Sequence, residues 1–441
     1  MKELATMPKY EAYKDSGVEW LGDIPEGWKA IKMKFLYQDT SIKNKASETL
    51  LSVTQNQGVV PRTWVESRMV MPSGNLESFK FIEEGDFAIS LRSFEGGLEY
   101  CHHDGIISPA YTVLKAKKRY LLRHYYKYLF KSQAFISELQ TSIVGIREGK
   151  NISYEELRYS LLPIPDENEQ TAIANFLDKK TAQIDEAIAI KQQQIELLKE
   201  RKQIIIQQAV TQGLDTNVPM KDSGVDWIGQ IPEHWEVTRL KHLFTEVNKR
   251  TKTGEETLYS LRMEIGLIPH DDVSDKEIKD EHLVDYKKVT SGQIVMNRMR
   301  ASIGIFGLAY ADGLVSPDYA IFDISDEVDS EYFLTLFKLP LLGTQFRLAS
   351  RGMGTGSSGF MRLYTDSFGQ LKVPFPPKEE QEILCKKIQD IKTETENSIG
   401  IFHSYIEKLK EYKTTLINSA VTGKIKVPQD ISAGSEHYGS L

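Results

Sequence analysis

The chain has 441 residues, enough for two to four domains with cores of ordinary size. Hydrophobic residues make up 40% and charged residues 27%, with no apolar run of about 18 residues, which excludes both a disordered chain and a helical membrane span. The net charge of −7 argues against a uniformly basic nucleic-acid binder.

The distribution of charge says more than its sum. Seven Lys or Arg and no acid lie between Gly105 and Ser137, and four basic residues and no acid between Tyr332 and Thr365. Asp166 to Glu186 instead holds six acids against two lysines. The N-terminus lacks the apolar core of a secretory signal. Two cysteines, Cys101 and Cys385, exclude a disulfide framework and suit a reducing cytosol. A cytoplasmic protein without membrane association is expected.

After an N-terminal tail (1–13) comes "KDSGVEWLGDIPEGW" (Lys14 to Trp28), and at Lys221 to Trp235 the chain reads "KDSGVDWIGQIPEHW", identical at eleven of fifteen positions. The strap is turn-rich, with Trp20 and Trp28 answered by Trp227 and Trp235. The repetition continues. "TLLSVTQNQGVVPR" (Thr49 to Arg62) aligns with "TLYSLRMEIGLIPH" (Thr257 to His270), and "DGIISPAYTV" (Asp104 to Val113) with "DGLVSPDYAI" (Asp312 to Ile321). Between them lie strand-like runs such as "DFAIS" (Asp86 to Ser90) and "GQIVMN" (Gly292 to Asn297). Helix-like runs span His124 to Leu139 and Ser330 to Phe346. These mixtures predict α+β domains at 14–165 and 221–376.

Each copy ends at a proline-marked junction, "LLPIPDENEQ" and "LKVPFPPKEEQ", with acids where a helix dipole favours them. A long helix follows in each, at 166–213 and 377–424, before a C-terminal tail at 425–441. Leu177, Ile184, Lys191, Leu198 and Ile205 recur every seven residues, and 211 positions later so do Ile388, Thr395, Phe402, Leu409 and Leu416. A second row, Ile188 and Ile195, is answered by Ile399 and Ile406. This is the spacing of a coiled-coil seam. A whole globular copy separates the helices, so antiparallel packing is expected. The fold class predicted is α+β: two pseudo-symmetric mixed α/β domains separated by two long antiparallel coiled-coil helices.

Enzyme motifs fail on context. Gly354, Gly356 and Gly359 spell a dinucleotide fingerprint, but a helix precedes them where a strand is needed, and the first copy has no equivalent. Pro165-Asp166 with Asp178 and Lys180 imitates a nuclease pattern, yet the last two lie inside the helix and cannot converge on a metal with Asp166. "CHHD" (Cys101 to Asp104) is four consecutive residues that cannot all face one ion. No catalytic residue, metal or cofactor is expected.

Where the copies differ, polar side chains change inside a matched frame. Such positions suit modules that read different ligands, since Arg and Lys pair with guanine and Asn and Gln with adenine. Gln55, Asn56, Gln57, Arg62, Arg92, Arg147, Lys150 and Asn151 are the candidates in copy one. Arg262, Arg298, Arg300, Arg347, Arg351 and Arg362 are those in copy two.

The straps, "SPAY"/"SPDY", the "PIP…EQ"/"PFP…EQ" junctions and the helix ends "AVTQG"/"AVTGK" resemble those of the specificity subunit of type I restriction–modification systems, from about Lys14 to Val427. The resemblance implies two target-recognition domains, each reading one half of a bipartite double-stranded DNA target. It also implies that the two helices act as a ruler for the unread spacer and dock two adenine methyltransferase subunits. A restriction/translocase subunit would join for cleavage, and the chain itself would not be catalytic. The alternative reading of the duplication is a protein-interaction scaffold or inhibitor that never reads DNA; salt-dependent binding of a specific duplex separates the two.

Overall fold

A computed structural model describes residues 6–65, 75–90, 93–144, 151–275, 278–352 and 361–428. Arg92, Arg147, Lys150 and the glycines at 354, 356 and 359 lie outside the described residues, as does the tail from 429 onward. The chain divides into two compact units, one of Met1–Gln192 with His403–Leu441 and the other of Gln193–Phe402. The division falls within the two long helices, so each unit contains one globular domain and a part of each helix.

In the first unit a four-stranded antiparallel sheet has the order Tyr37–Thr40, Thr112–Ala116, Phe87–Ile89, Glu99–Tyr100. The second unit repeats it with Phe244–Val247, Tyr319–Ile324, Ile294–Asn297 and Phe306–Leu308. Strand residues alternate between faces, and here both faces are covered. Phe87, Ile89 and Leu114 enter the main core of the first unit, while Ala88 and Val113 enter a smaller core behind the sheet. Ile294, Met296 and Phe322 against Val295 and Ile321 do the same in the second. Burial on both sides explains why "DFAIS" and "GQIVMN" read as continuous apolar runs rather than alternating ones.

Each sheet carries a satellite hairpin, Leu51–Thr54 with Gly58–Pro61 and Tyr259–Arg262 with Gly266–Pro269. The single helices expected at His124 to Leu139 and Ser330 to Phe346 are each two. Arg123–Leu129 stops before Ser132, whose side chain accepts from Phe135 N at 3.2 Å and so caps Gln133–Thr141. Ser330–Phe337 stops before Pro340, which opens Pro340–Ala349 at a position where its missing N–H is not needed.

The long helices are Glu167–Gln212 and Lys378–Val421. In the first unit Asp185 meets Lys413 at 2.6 Å, and Lys191, further along, lies over the ring of Tyr405, which is earlier. That order is antiparallel. In the second unit Ile206, Ala209 and Val210 share a core with Leu384 and Ile388, and Lys202 reaches Glu396 at 4.0 Å. Leu177, Ile184, Ile195, Ile388, Ile406 and Leu416 are buried on the helices, and Ile188, Leu198, Ile205, Ile399, Phe402 and Leu409 are half-buried. Ile425 and Val427, past the second helix, are buried in the first unit's core, and Lys426 N donates to Pro8 O at 2.7 Å. Among the described residues no helix is long and apolar enough to cross a membrane.

Candidate nucleic-acid interface

Three matched contacts fasten each globular domain to the helix ends of its own unit. Trp28 and Trp235 are fully buried, and a buried indole N–H needs an acceptor. Trp28 Nε1 donates to Glu169 Oε2 at 2.7 Å, and Trp235 Nε1 to Glu380 Oε2 at 3.0 Å. The hydroxyl of Tyr10 adds a second donor to Glu169, and the His234 ring lies 2.8 Å from Glu380. The next residue is Gln170 or Gln381, wholly buried. Gln170 Nε2 donates to Tyr120 O (3.1 Å) and Pro165 O (2.9 Å), while its Oε1 accepts from Leu122 N at 2.9 Å. Gln381 repeats this with Glu327 O, Pro376 O and Asp329 N. Finally Tyr125 Oη donates to Val421 O and Tyr332 Oη to Val210 O, both at 2.8 Å.

Gly213 and Gly423 finish the helix ends at φ +76° and +74°, a region that favours glycine. A Cβ on Gly423 would sit 2.4 Å from Pro25 and 3.2 Å from the Trp28 ring. The other strap tryptophans, Trp20 and Trp227, are half-buried, with Trp20 edge-on to Phe135 at 5.7 Å.

At the far end of each sheet the variable loops gather. Ile89 pairs with Thr112, so the segment after Ile89 and the "SPAY" loop before Thr112 share one end. Leu50 bridges Ile106 in parallel, which brings the hairpin turn Gln55, Asn56, Gln57 to that same end. The side chain of Gln55 lies against Gly96. The "SPxY" loop is fixed alike in both copies: Lys80 Nζ donates to Tyr111 O and Lys287 Nζ to Tyr319 O, each at 2.6 Å.

Gln55, Asn56 and Gln57 are exposed at this end. Asn151 is half-buried and pairs in a short hairpin with Val144. Arg62 is not with them: it follows the outgoing strand Gly58–Pro61 and lies at the hairpin's opposite end, beside Trp64. In copy two, Arg262 and Arg300 are exposed and both act on Tyr319, whose hydroxyl burial pushes up while the two arginines oppose the shift. Arg362 joins them through Asp318 at 3.3 Å. Arg351 pairs with Asp366 at 3.3 Å, and its backbone bridges Arg362. Arg347 is exposed on the helix Pro340–Ala349.

Arg298 differs from these. Its guanidinium is turned inward, paired with Glu246 and in contact with Thr365, with the side chain 18% exposed. Glu246 also faces Lys287 at 3.6 Å. Burial and the Arg298 charge lower the Lys287 pKa, with Glu246 opposing. One carboxylate thus ties together three segments that reach the loop end.

Glu169, Gln170, Glu380 and Gln381 carry one signal in the sequence, the recurrence of the "EQ" pair at a constant shift of 211. Glu246 has only an acid at the matching place, Asp39 in copy one, to mark it. Cys101 is buried, which pushes its thiol up to about 12. Its Sγ lies 3.1 Å from His103 O, and Asp104 accepts from Glu84 N at 2.7 Å. No cluster of metal-ligating side chains occurs among the described residues.

No family model matches the chain. Among curated proteins, the type I restriction enzyme MjaVIII specificity subunit of Methanocaldococcus jannaschii is 25% identical over 364 residues, 78% of this chain and 80% of that one. The EcoBI specificity subunit of Escherichia coli is 23% identical over 336 residues, 72% of this chain and 69% of its own. A solved structure concerned with complex assembly and conformational transition of the type I R-M system superimposes at a TM-score of 0.61 and 13% identity, covering 90% of this chain and 98% of that chain. The HsdS subunit from Thermoanaerobacter tengcongensis does so at 0.53 and 15% identity, covering 91% and 98%. The fold is shared with these structures, and by sequence the chain is a homologue of the type I restriction enzyme specificity subunits.

Proposed function

We propose that the chain is a non-catalytic, cytoplasmic DNA-specificity subunit whose two target-recognition domains, 14–165 and 221–376, each read one half of a bipartite duplex target. The long helices set the unread gap between the halves and dock two adenine methyltransferase subunits, with a restriction/translocase subunit completing the assembly. One observation carries the reading: an identical set of latches holds two domains whose gathered loop ends carry different side chains. Gln55, Asn56 and Gln57 stand where copy two has Met263, Glu264 and Ile265. A shared frame with exchanged loop chemistry is what two readers of different sequences need.

Arg262, Arg300 and Arg362 are the proposed readers of the second half, and Gln55, Asn56 and Gln57 those of the first. Arg92, Arg147, Lys150, Asn151, Arg347 and Arg351 remain proposed contacts. Arg298 supports the readers from beneath.

The test is to express this chain with its methyltransferase partner and map modified adenines across the genome by single-molecule sequencing. The expected result is one new motif with two specified halves around a fixed gap. Co-purification of the two proteins without any modification would instead support the scaffold reading.

A further inference from the structure

The two copies hold one loop in the same way and give it opposite charge. In the first unit, the strand Thr112–Ala116 reaches the helix Arg123–Leu129 through Lys117, Lys118 and Arg119. In the second, the strand Tyr319–Ile324 reaches Ser330–Phe337 through Ser325, Asp326 and Glu327. Both loops are pinned alike. Lys117 N donates to Leu36 O at 2.7 Å and Ser325 N to Leu243 O at 3.0 Å, while Gln170 and Gln381 hold the carbonyls of Tyr120 and Glu327, each at 3.1 Å. The pins are therefore common, although two residues, Lys118 and Arg119, lie between them in the first unit and one, Asp326, in the second. The side chains have diverged from cationic to anionic.

In the first unit this loop walls a cavity of about 630 Å³, inside the range of roughly 300–1,000 Å³ typical of small-molecule sites. The first long helix contributes Thr171 and Asn175, and residues 83–86 form the other side. Lys115 is paired with Glu83, and Arg123 Nη1 donates to Glu84 O at 3.0 Å. Lys118 and Arg119 are exposed at the cavity, and their side chains make no hydrogen bond or ion pair among the described residues, although the Lys118 carbonyl accepts from Leu121 N at 3.3 Å.

We propose that this cavity of the first unit binds a phosphate-bearing ligand, and that the matching place in the second unit does not. Five cations, Lys115, Lys117, Lys118, Arg119 and Arg123, line it. Lys115 is paired with Glu83 and Lys117 Nζ donates to Lys34 O at 2.6 Å, so Lys118, Arg119 and Arg123 are the groups that meet the ligand. Guanidinium groups match phosphate oxygens in a bidentate fork. The opposing wall is less anionic than its sequence suggests. Lys115 neutralises Glu83, and burial pushes the Asp86 carboxyl up to about 7 against the pull of Arg123, which leaves the exposed Glu84 as the remaining acid of that wall. In the second unit Asp323, Asp326 and Glu327 would repel a phosphate.

The cavity is separate from the proposed base-reading loops. It lies at the opposite end of Thr112–Ala116 from the "SPAY" loop, about 17 Å away at roughly 3.4 Å per residue. A phosphodiester backbone and a free polyphosphate would meet the same groups.

The experiment titrates tripolyphosphate into the full chain by calorimetry at two salt concentrations, then repeats it with a duplex lacking any target present as competitor. One tripolyphosphate per chain is expected, with affinity falling as salt rises. At least a tenfold loss is expected in Lys118→Glu/Arg119→Glu, which copies the sign of the second unit, and a smaller loss in Lys118→Ala/Arg119→Ala. Both positions are exposed, and thermal melting confirms that each variant is folded. Displacement by the duplex, with a shallower salt dependence of duplex binding in the variants, assigns the phosphate to DNA. Binding that the duplex leaves untouched assigns it to a free phosphate compound. No binding at millimolar tripolyphosphate, two equivalents per chain, or equal binding by wild type and variants overturns the proposal. None of these outcomes depends on whether the loop ends read bases.

Discussion

The indole of Trp28 donates to the carboxylate of Glu169 across 2.7 Å, joining the strap to the first turn of the long helix of the same unit. The acid at that turn is also favoured by the helix dipole, so one side chain serves two stabilising terms. Glu169→Ala leaves the donors of Trp28 and Tyr10 without this acceptor, at a cost of about 1–3 kcal/mol for each donor that stays unpaired. Glu169→Gln, which keeps an acceptor, costs less. Gln170→Leu orphans two carbonyls and one N–H and is expected to cost at least as much as Glu169→Ala. Trp20→Ala and Trp227→Ala likewise lower stability and leave the sequence read unchanged. Chemical denaturation with motif mapping checks the set; a fully stable strap variant with altered specificity would refute it.

Period and repetition made the architecture legible in the sequence. A seven-residue row survives on any helix that buries a seam, and Leu177 and its 211-shifted partner Ile388 are both buried. The tryptophans stood out because large rings are rare and these recur. Polar latches were less legible. Glu169 reads as an ordinary helix-start acid, and only the fold shows that an indole 141 residues away points at it. Arg298 illustrates the converse. Beside Arg300 it reads as another exposed cation, but Glu246, 52 residues earlier, draws it inward. Chain separation hides such pairs, and no local pattern announces them. The helix breaks at Ser132 and Pro340 were visible as capping chemistry, yet the apolar periodicity running across them masked it.

The Glu246–Arg298 pair yields a second prediction. Each partner is largely buried, so removing one leaves the other poorly compensated. Arg298→Met is expected to destabilise the second unit by roughly 1–3 kcal/mol, softened by Lys287 at 3.6 Å from the same carboxylate. Adding Glu246→Gln to Arg298→Met should cost less than the sum of the single changes, the mark of a coupled pair. Simple additivity in a double-mutant cycle would show that the two side chains are independent. The second half of the target should be read less strictly in Arg298→Met, with the first half unaffected.

Buried carboxyls predict a pH dependence. Burial pushes Asp86 up to about 7 and Glu99 up to about 6, with Arg123 and Lys131 respectively opposing. A raised folded pKa means that the native state holds the proton while the unfolded state has lost it. These groups therefore make the protein less stable as pH climbs from about 4 through their folded values. Asp86→Asn removes one such titration. Its melting temperature should match the wild type below about pH 4 and exceed it at about pH 8. An equal offset at both pH values would mean that the substitution acts through packing or hydrogen bonding instead.

The proposed ruler makes the last prediction, and the antiparallel order of the helices dictates its form. Lys191 lies beside Tyr405, so an insertion after Gln192 must be matched by one just before Tyr405 to keep the seams opposed. Inserting four residues in one helix alone moves its heptad row out of phase with its partner and should cost stability before it changes any spacing. A full heptad in each helix preserves the phase and adds about 10 Å of rise. At roughly 3.4 Å per base pair, the unread gap should grow by about three base pairs, with both specified halves retained. Adenine mapping with the matched-insertion variant reads this directly. A modification-competent variant with an unchanged gap would mean that the helices dock partners without measuring the DNA.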